Sequence, residues 1–149
     1  MVNVRAWRSP LVVGLLLAAA AAGCSKNPAA PTPVLTTETF TGSLQVLGSS
    51  SKNFTVNYSL SASDASVTVT SLTTSANSTP ITTTIGIGFG VPAFDGTCTR
   101  SATYSSSVAA INQELPALGV FGQGTYCVQI FDAGTLTQAA NYTFVVKHY

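Results

Sequence analysis

From Thr39 onward, apolar side chains return at every second position. Phe40, Leu44 and Val46 share one parity, with Thr39, Thr41, Ser43 and Gln45 on the other. Phe54, Val56, Tyr58 and Leu60 alternate with Thr55, Asn57 and Ser59, and Val67 and Val69 alternate with Thr68 and Thr70. The longest stripe is Ile81, Ile85, Ile87, Phe89 and Val91, set against Thr82, Thr84, Gly86, Gly88 and Gly90. A period of two places each set on its own face of a strand. Tyr126, Val128 and Ile130 alternate with Cys127, Gln129 and Phe131, so that strand is expected to be buried on both faces. Tyr142, Phe144 and Val146 form the last stripe.

Turn chemistry separates the runs: Gly48-Ser49-Ser50, Ser63-Asp64, Asn77-Ser78-Thr79-Pro80, Asp95-Gly96 and Asp132-Ala133-Gly134. Short strands at this spacing predict an all-β fold, an antiparallel β-sandwich of about seven to eight strands. The one helical candidate is Val108–Leu115, closed by Pro116; a loop packed on the end of the sandwich reads equally well.

The N-terminal segment has a different grammar. Arg5 and Arg8 precede an apolar run at residues 11–22. Twelve helical residues span about 18 Å, short of the ~30 Å hydrocarbon core, so the run reads as an export signal. It ends in Ala21-Ala22-Gly23-Cys24, which resembles the lipobox of bacterial lipoproteins, with Ala21 where that motif most often has Leu. The resemblance implies cleavage after residue 23 and a lipid on the Cys24 thiol. Ser25 after the Cys implies sorting to the outer membrane. The expected organisation is therefore a signal peptide (1–23), a lipidated Cys and Pro-rich tether (24–37) and a β-sandwich (38–149).

Charge is scarce. Only 7% of residues are charged, against about a quarter in ordinary domains. After cleavage, Lys26, Lys52, Arg100 and Lys147 face Glu38, Asp64, Asp95, Glu114 and Asp132, a net charge of −1. That balance gives nucleic acid nothing to bind. With Cys24 acylated, Cys98 and Cys127 remain, and an exported pair reads as one disulfide. Closing a loop of about 30 residues is worth roughly 3–4 kcal/mol.

Phe40-Thr41-Gly42-Ser43-Leu44, Phe54-Thr55-Val56 and Val67-Thr68-Val69-Thr70-Ser71-Leu72 resemble the first half of bacterial pre-peptidase C-terminal (PPC) domains. Gly124-Thr125-Tyr126-Cys127-Val128 and Tyr142-Thr143-Phe144-Val145-Val146 resemble their closing strands. The resemblance covers residues 38–149 and implies a jelly-roll-like sandwich that performs no chemistry. Some relatives bind polymers and calcium, but the acidic cluster that would hold calcium is not evident here.

Catalytic schemes find little to use. Nucleophilic catalysis needs a base beside a Ser or Thr, and the single His, His148, lies where chain ends usually fray. A carboxylate hydrolase needs Asp95, Glu114 and Asp132 in one cleft. Asp95 and Asp132 with backbone carbonyls are the one calcium set left open, and no other cofactor is expected. Gly86, Gly88 and Gly90 sit inside a strand rather than before a helix, so they do not form a phosphate loop. They leave either a flat face on which another element packs or a shallow groove for a polymer. Phe94, Tyr104, Phe121 and Tyr149 lie outside the core stripes and are the aromatic candidates for an exposed sugar-binding surface.

The expected function is a non-enzymatic, lipid-anchored binding or adhesion module of the bacterial envelope, its ligand a polymer or protein. The surface expected to carry it comprises Gly86, Gly88, Gly90, Phe94, Tyr104 and Phe121. The alternatives are a periplasm-facing structural subunit of an envelope complex and the carboxylate hydrolase.

Overall fold

The computed structural model describes residues 32–57, 65–117 and 122–149. The proposed leader, Cys24, most of the tether and Phe121 lie outside the described residues. The described strands belong to one compact unit, Pro33–Tyr149. In chain order they are β1 (Thr36–Leu44), β2 (Ser49–Val56), β3 (Ala65–Thr74), β4 (Ile85–Pro92), β5 (Cys98–Ala109), β6 (Glu114–Pro116), β7 (Gly124–Phe131) and β8 (Ala140–His148).

The strands form two antiparallel sheets of four, ordered β1-β8-β3-β6 and β2-β7-β4-β5. First pairs with last, second with seventh, third with sixth and fourth with fifth, and successive pairs fall in alternate sheets. That is the connectivity of a long hairpin rolled into a jelly roll.

The two-residue period supplies the core between the sheets. Leu44, Phe54, Val56, Val67, Val69, Ile85, Ile87, Phe89, Val128, Ile130, Phe144 and Val146 are all buried. Within one sheet Phe54 of β2 meets Phe89 of β4 edge-on at 5.9 Å; within the other, Phe144 packs on Phe40 at 5.4 Å and Tyr142 at 5.6 Å. The Tyr142 ring fills the space beside Gly42, and its hydroxyl is 2.7 Å from Ser50 Oγ in the opposite sheet. Burying each such side chain contributes about 1.5–3 kcal/mol.

Among the described residues two stripe positions are exposed; Tyr58 and Leu60 lie outside the described residues. Val46 lies beyond the end of β1 in the Gln45–Gly48 turn and is exposed, as is Val91 near the end of β4. Ile81 precedes β4 and is held in the β3–β4 loop by its N–H bond to Leu72 O, so the long stripe is a loop anchor followed by a strand. Of the two readings of Val108–Leu115 the helix is absent: Val108 and Ala109 end β5, residues 110–113 turn, and Glu114 starts β6. Asn112 takes φ 64°, and its N–H donates to Val69 O at 2.7 Å. Ladder bonds to β3 outweigh the helical propensity of so short a segment.

The expectation that His148 frays is also corrected. His148 sits in β8 between Thr36 and Ala65, is only 2% exposed, and packs 5.3 Å from the Phe54 ring. Its Nε2 is 2.7 Å from Glu38 Oε1. Tyr149 O then accepts the Asn57 N–H at 2.8 Å, tying the segment to the strand end of the other sheet.

The register defines two ends. Thr36, Val56, Ala65, Pro92, Cys98, Gly124 and His148 lie at the end where β1 begins, called here the tether end. Leu44, Ser49, Thr74, Ile85, Phe131 and Ala140 lie at the opposite, distal end.

Candidate functional site

The glycines of β4 face away from the core, yet all three are buried. Gly86 pairs with Phe131, and a Cβ on Gly86 would meet that ring at 2.3 Å. Here a cross-strand aromatic covers a glycine, a pairing that secures register. At Gly88 the space is taken by Ser105 Oγ and Arg100 Cδ. Arg100 lies with its guanidinium 3.7 Å from the Phe131 ring centroid and donates to Gln129 Oε1 at 3.2 Å. The trench is therefore filled by side chains of the neighbouring strands.

Gly90 has a different neighbour. A Cβ there would sit 2.3 Å from the Thr99 carbonyl oxygen, because β5 crosses close over this point. That approach brings Cys98 to Cys127, with their Cα atoms 5.9 Å apart. The disulfide thus joins β5 and β7 across β4, where only a glycine leaves room.

Beyond Gly90 the β4–β5 register shifts. Phe89 alone lies between the paired positions of β4, whereas residues 101–104 intervene on β5. Ser105 Oγ closes this wide bulge on the Ser101 carbonyl. A bulge on an edge strand turns it away from further pairing. Tyr104, half-buried on the bulge, lines a hollow of about 320 Å³ with Gly90, Arg100 and Val91. The structure thus brings Gly90 and Tyr104 together. Phe94 stands fully exposed in the β4–β5 turn at the tether end. Phe121 lies outside the described residues.

The acidic side chains do not converge. Asp95 stays in its own turn, accepting the Thr97 hydroxyl at 2.6 Å and the Thr97 N–H at 2.9 Å. Those bonds hold its carboxyl below the usual value. Glu114 accepts the Ser66 hydroxyl on the outer face of the other sheet. Asp132 is at the distal end, separated from Asp95 by roughly 15 Å of strand along β7. The hydrolase cleft and the Asp95–Asp132 calcium set therefore both fail on placement. Among the described residues no group of three or more His, Cys, Asp or Glu is placed to hold a metal ion.

Asp132 has another task. Its Oδ1 accepts the N–H groups of Gly134, Thr135 and Leu136 at 2.9, 2.8 and 3.1 Å. Its Oδ2 accepts the Leu47 N–H at 2.9 Å, reaching the β1–β2 turn. Burial pushes this carboxyl up, but the four N–H groups outweigh it and hold it below the usual value. The clamp fixes Leu47 at φ 56° with its side chain exposed, a strained conformation for a bulky residue.

The β3–β4 loop is equally constrained. Thr74 N–H donates to Thr79 O, and Thr79 N–H donates to Thr74 Oγ1 at 3.1 Å. Thr74 Oγ1 also donates to Asn77 Oδ1. Thr135 Oγ1 donates to Thr84 O at 2.7 Å and ties this loop to the β7–β8 loop. Between the two lies a hollow of about 340 Å³, walled by Thr74, Thr82, Thr83, Thr135, Thr137 and Gln138. Pro80, Ile81 and Leu136 give it apolar patches. A second hollow of about 420 Å³ shares Pro80, Ile81 and Thr82 and extends to Thr70, Ser71 and Ile111. Among the described residues neither wall carries an ionisable side chain.

Sequence reasoning missed this distal site. Its residues lie in loops between the stripes, and the Asn77–Pro80 and Asp132–Gly134 turn signals were the only local trace. No protein-family model matches the chain, and no curated protein matches it.

Proposed function

We propose that this chain is a non-enzymatic, lipid-anchored binding module of the bacterial envelope. In this reading the lipid sits on Cys24, the Pro-rich tether ends at β1, and the sandwich, which resembles PPC domains, presents its distal end to a partner. The observation that supports the reading most is directional. The chain enters the sandwich at Thr36, whereas the two open, uncharged hollows lie at the opposite end. A chain that enters at Thr36 leaves that end free for a partner.

The test has two arms. The Cys24→Ala variant is expected to leave the membrane fraction, whereas the unaltered chain stays in it. Protease added to intact cells is expected to cut the unaltered domain; cleavage only after permeabilisation overturns the outward-facing adhesion reading.

One observation favours the second reading, a structural subunit of an envelope complex. Val46 and Leu47 are exposed side by side at the distal tip, and apolar tips of this kind suit a protein partner. A photo-crosslinker at Leu47 that captures one stoichiometric envelope protein would replace the adhesion reading with this one.

A further inference from the structure

The distal hollows carry a more specific assignment, which rests on the binding-module reading above. We infer that they bind an uncharged, hydroxyl-rich polymer, a neutral polysaccharide whose chain crosses the Pro80–Thr82 segment from one hollow to the other.

The first argument is charge. The nearest titratable group in the distal loops is Asp132, and its carboxylate is already occupied by four backbone N–H groups. Among the described residues a polyanion finds no cation in either lining, and a cation finds no free carboxylate. A neutral ligand is what such a wall does not penalise.

The second argument is hydrogen-bond capacity. Thr82, Thr83, Thr137 and Gln138 make no side-chain hydrogen bond within the described residues, yet all four line the first hollow. A threonine hydroxyl both donates and accepts, and an amide does each with a different atom. Sugar hydroxyls need partners of that kind along their edges. Pro80, Ile81 and Leu136 supply apolar contact for the C–H faces of the same rings.

The third argument is preorganisation. Both walls are fixed before a ligand arrives, one by the Thr74–Asn77–Thr79 bonds and the other by Asp132. The Thr135–Thr84 bond sets their separation. Little ordering entropy remains to be lost on binding. Each hollow lies at the small end of the ligand-site range of about 300–1,000 Å³, so each holds a short stretch of chain. The shared Pro80–Thr82 segment makes the pair a path rather than two unrelated dents. Among the described residues no aromatic ring lines either hollow, so single-site affinity is weak. Many copies on one membrane would raise the avidity.

The experiment is affinity electrophoresis of the full chain in detergent, in gels containing neutral β-glucan, dextran or xylan, or the polyanions alginate or heparin. At least one neutral polymer is expected to retard the protein, with no retardation by the polyanions. The double variant Thr82→Val/Thr137→Val removes two hydroxyls at nearly constant shape and breaks no hydrogen bond among the described residues. It is expected to keep its melting temperature and to weaken retardation by tenfold or more. Phe94→Ser, at the other end, is expected to run as the unaltered chain. The assignment is overturned if no neutral polymer retards the protein, if only polyanions do, or if the double variant is retarded equally. The Cys24→Ala fractionation is independent of these gels, so loss of the ligand class leaves the anchored-module reading to stand or fall separately.

Discussion

Each end of the sandwich is closed by a buried polar side chain, and the two are managed in opposite ways. At the tether end, His148 places Nε2 on Glu38, while its buried Nδ1 has no hydrogen-bond partner among the described residues. At the distal end, Asp132 is satisfied through both oxygens by four N–H groups from two loops. The tether end therefore relies on redundancy: the β8 ladder, the Tyr149–Asn57 bond and the nearby disulfide all hold it. Order in the distal β1–β2 turn and β7–β8 loop passes largely through one carboxylate. An end that must keep its loops open cannot bury them, and a single saturated anion is a compact way to make open loops rigid.

The strongest way to break this contrast is to remove the anion. Asp132→Ala leaves four N–H groups without their acceptor and is expected to destabilise the fold by about 3–5 kcal/mol, read by chemical denaturation. A loss under about 1 kcal/mol would mean the distal loops hold themselves. Next comes the covalent tie at the other end. Replacing both Cys98 and Cys127 by Ser is expected to cost roughly 3 kcal/mol. Free thiols at these positions in protein from the native envelope would contradict the bridge.

His148→Ala is expected to cost about 2 kcal/mol, mainly from the cavity beside Phe54. A cost as large as that of Asp132→Ala would erase the difference between the ends. Acid sharpens the contrast further. Because the folded state lowers the Asp132 pKa, its stabilisation is fully present above the unfolded value of about 3.9 and is lost as pH falls through the lower folded value. The melting temperature is expected to hold from pH 7 to about pH 5 and fall below about pH 4, less steeply in Asp132→Asn. The smallest effect is expected at Phe94, whose replacement by Ser changes stability by under about 0.5 kcal/mol.

Much of the frame is legible in the sequence. Period-two stripes such as Ile85-Ile87-Phe89 predict strands and their inward faces, and cysteine parity predicts the Cys98–Cys127 bridge. What stayed hidden depends on partners distant in sequence. Asp132-Ala133-Gly134 announces a turn, but nothing local announces that Asp132 also clamps Leu47, 85 positions away. His148 looks terminal until the β1–β8–β3 ladder surrounds it. The β4 glycines leave a packing face and a groove as alternatives in the sequence, because the residues that decide between them, Phe131, Arg100 and Ser105, come from other strands. Val108–Leu115 has helical composition, but a turn and a three-residue strand on β3 satisfy the backbone better. The distal hollows belong to loops, where periodicity is silent.

The first-with-last strand pairing has a consequence for modularity. Thr36 and His148 face each other in register, so the chain enters and leaves the sandwich at adjoining points. A domain with such a single doorway can be spliced into a surface loop of an unrelated host without stretching either. A short linker from Tyr149 to Thr36, with a new opening between Asn77 and Ser78, is expected to yield a circular permutant that keeps the same sheets.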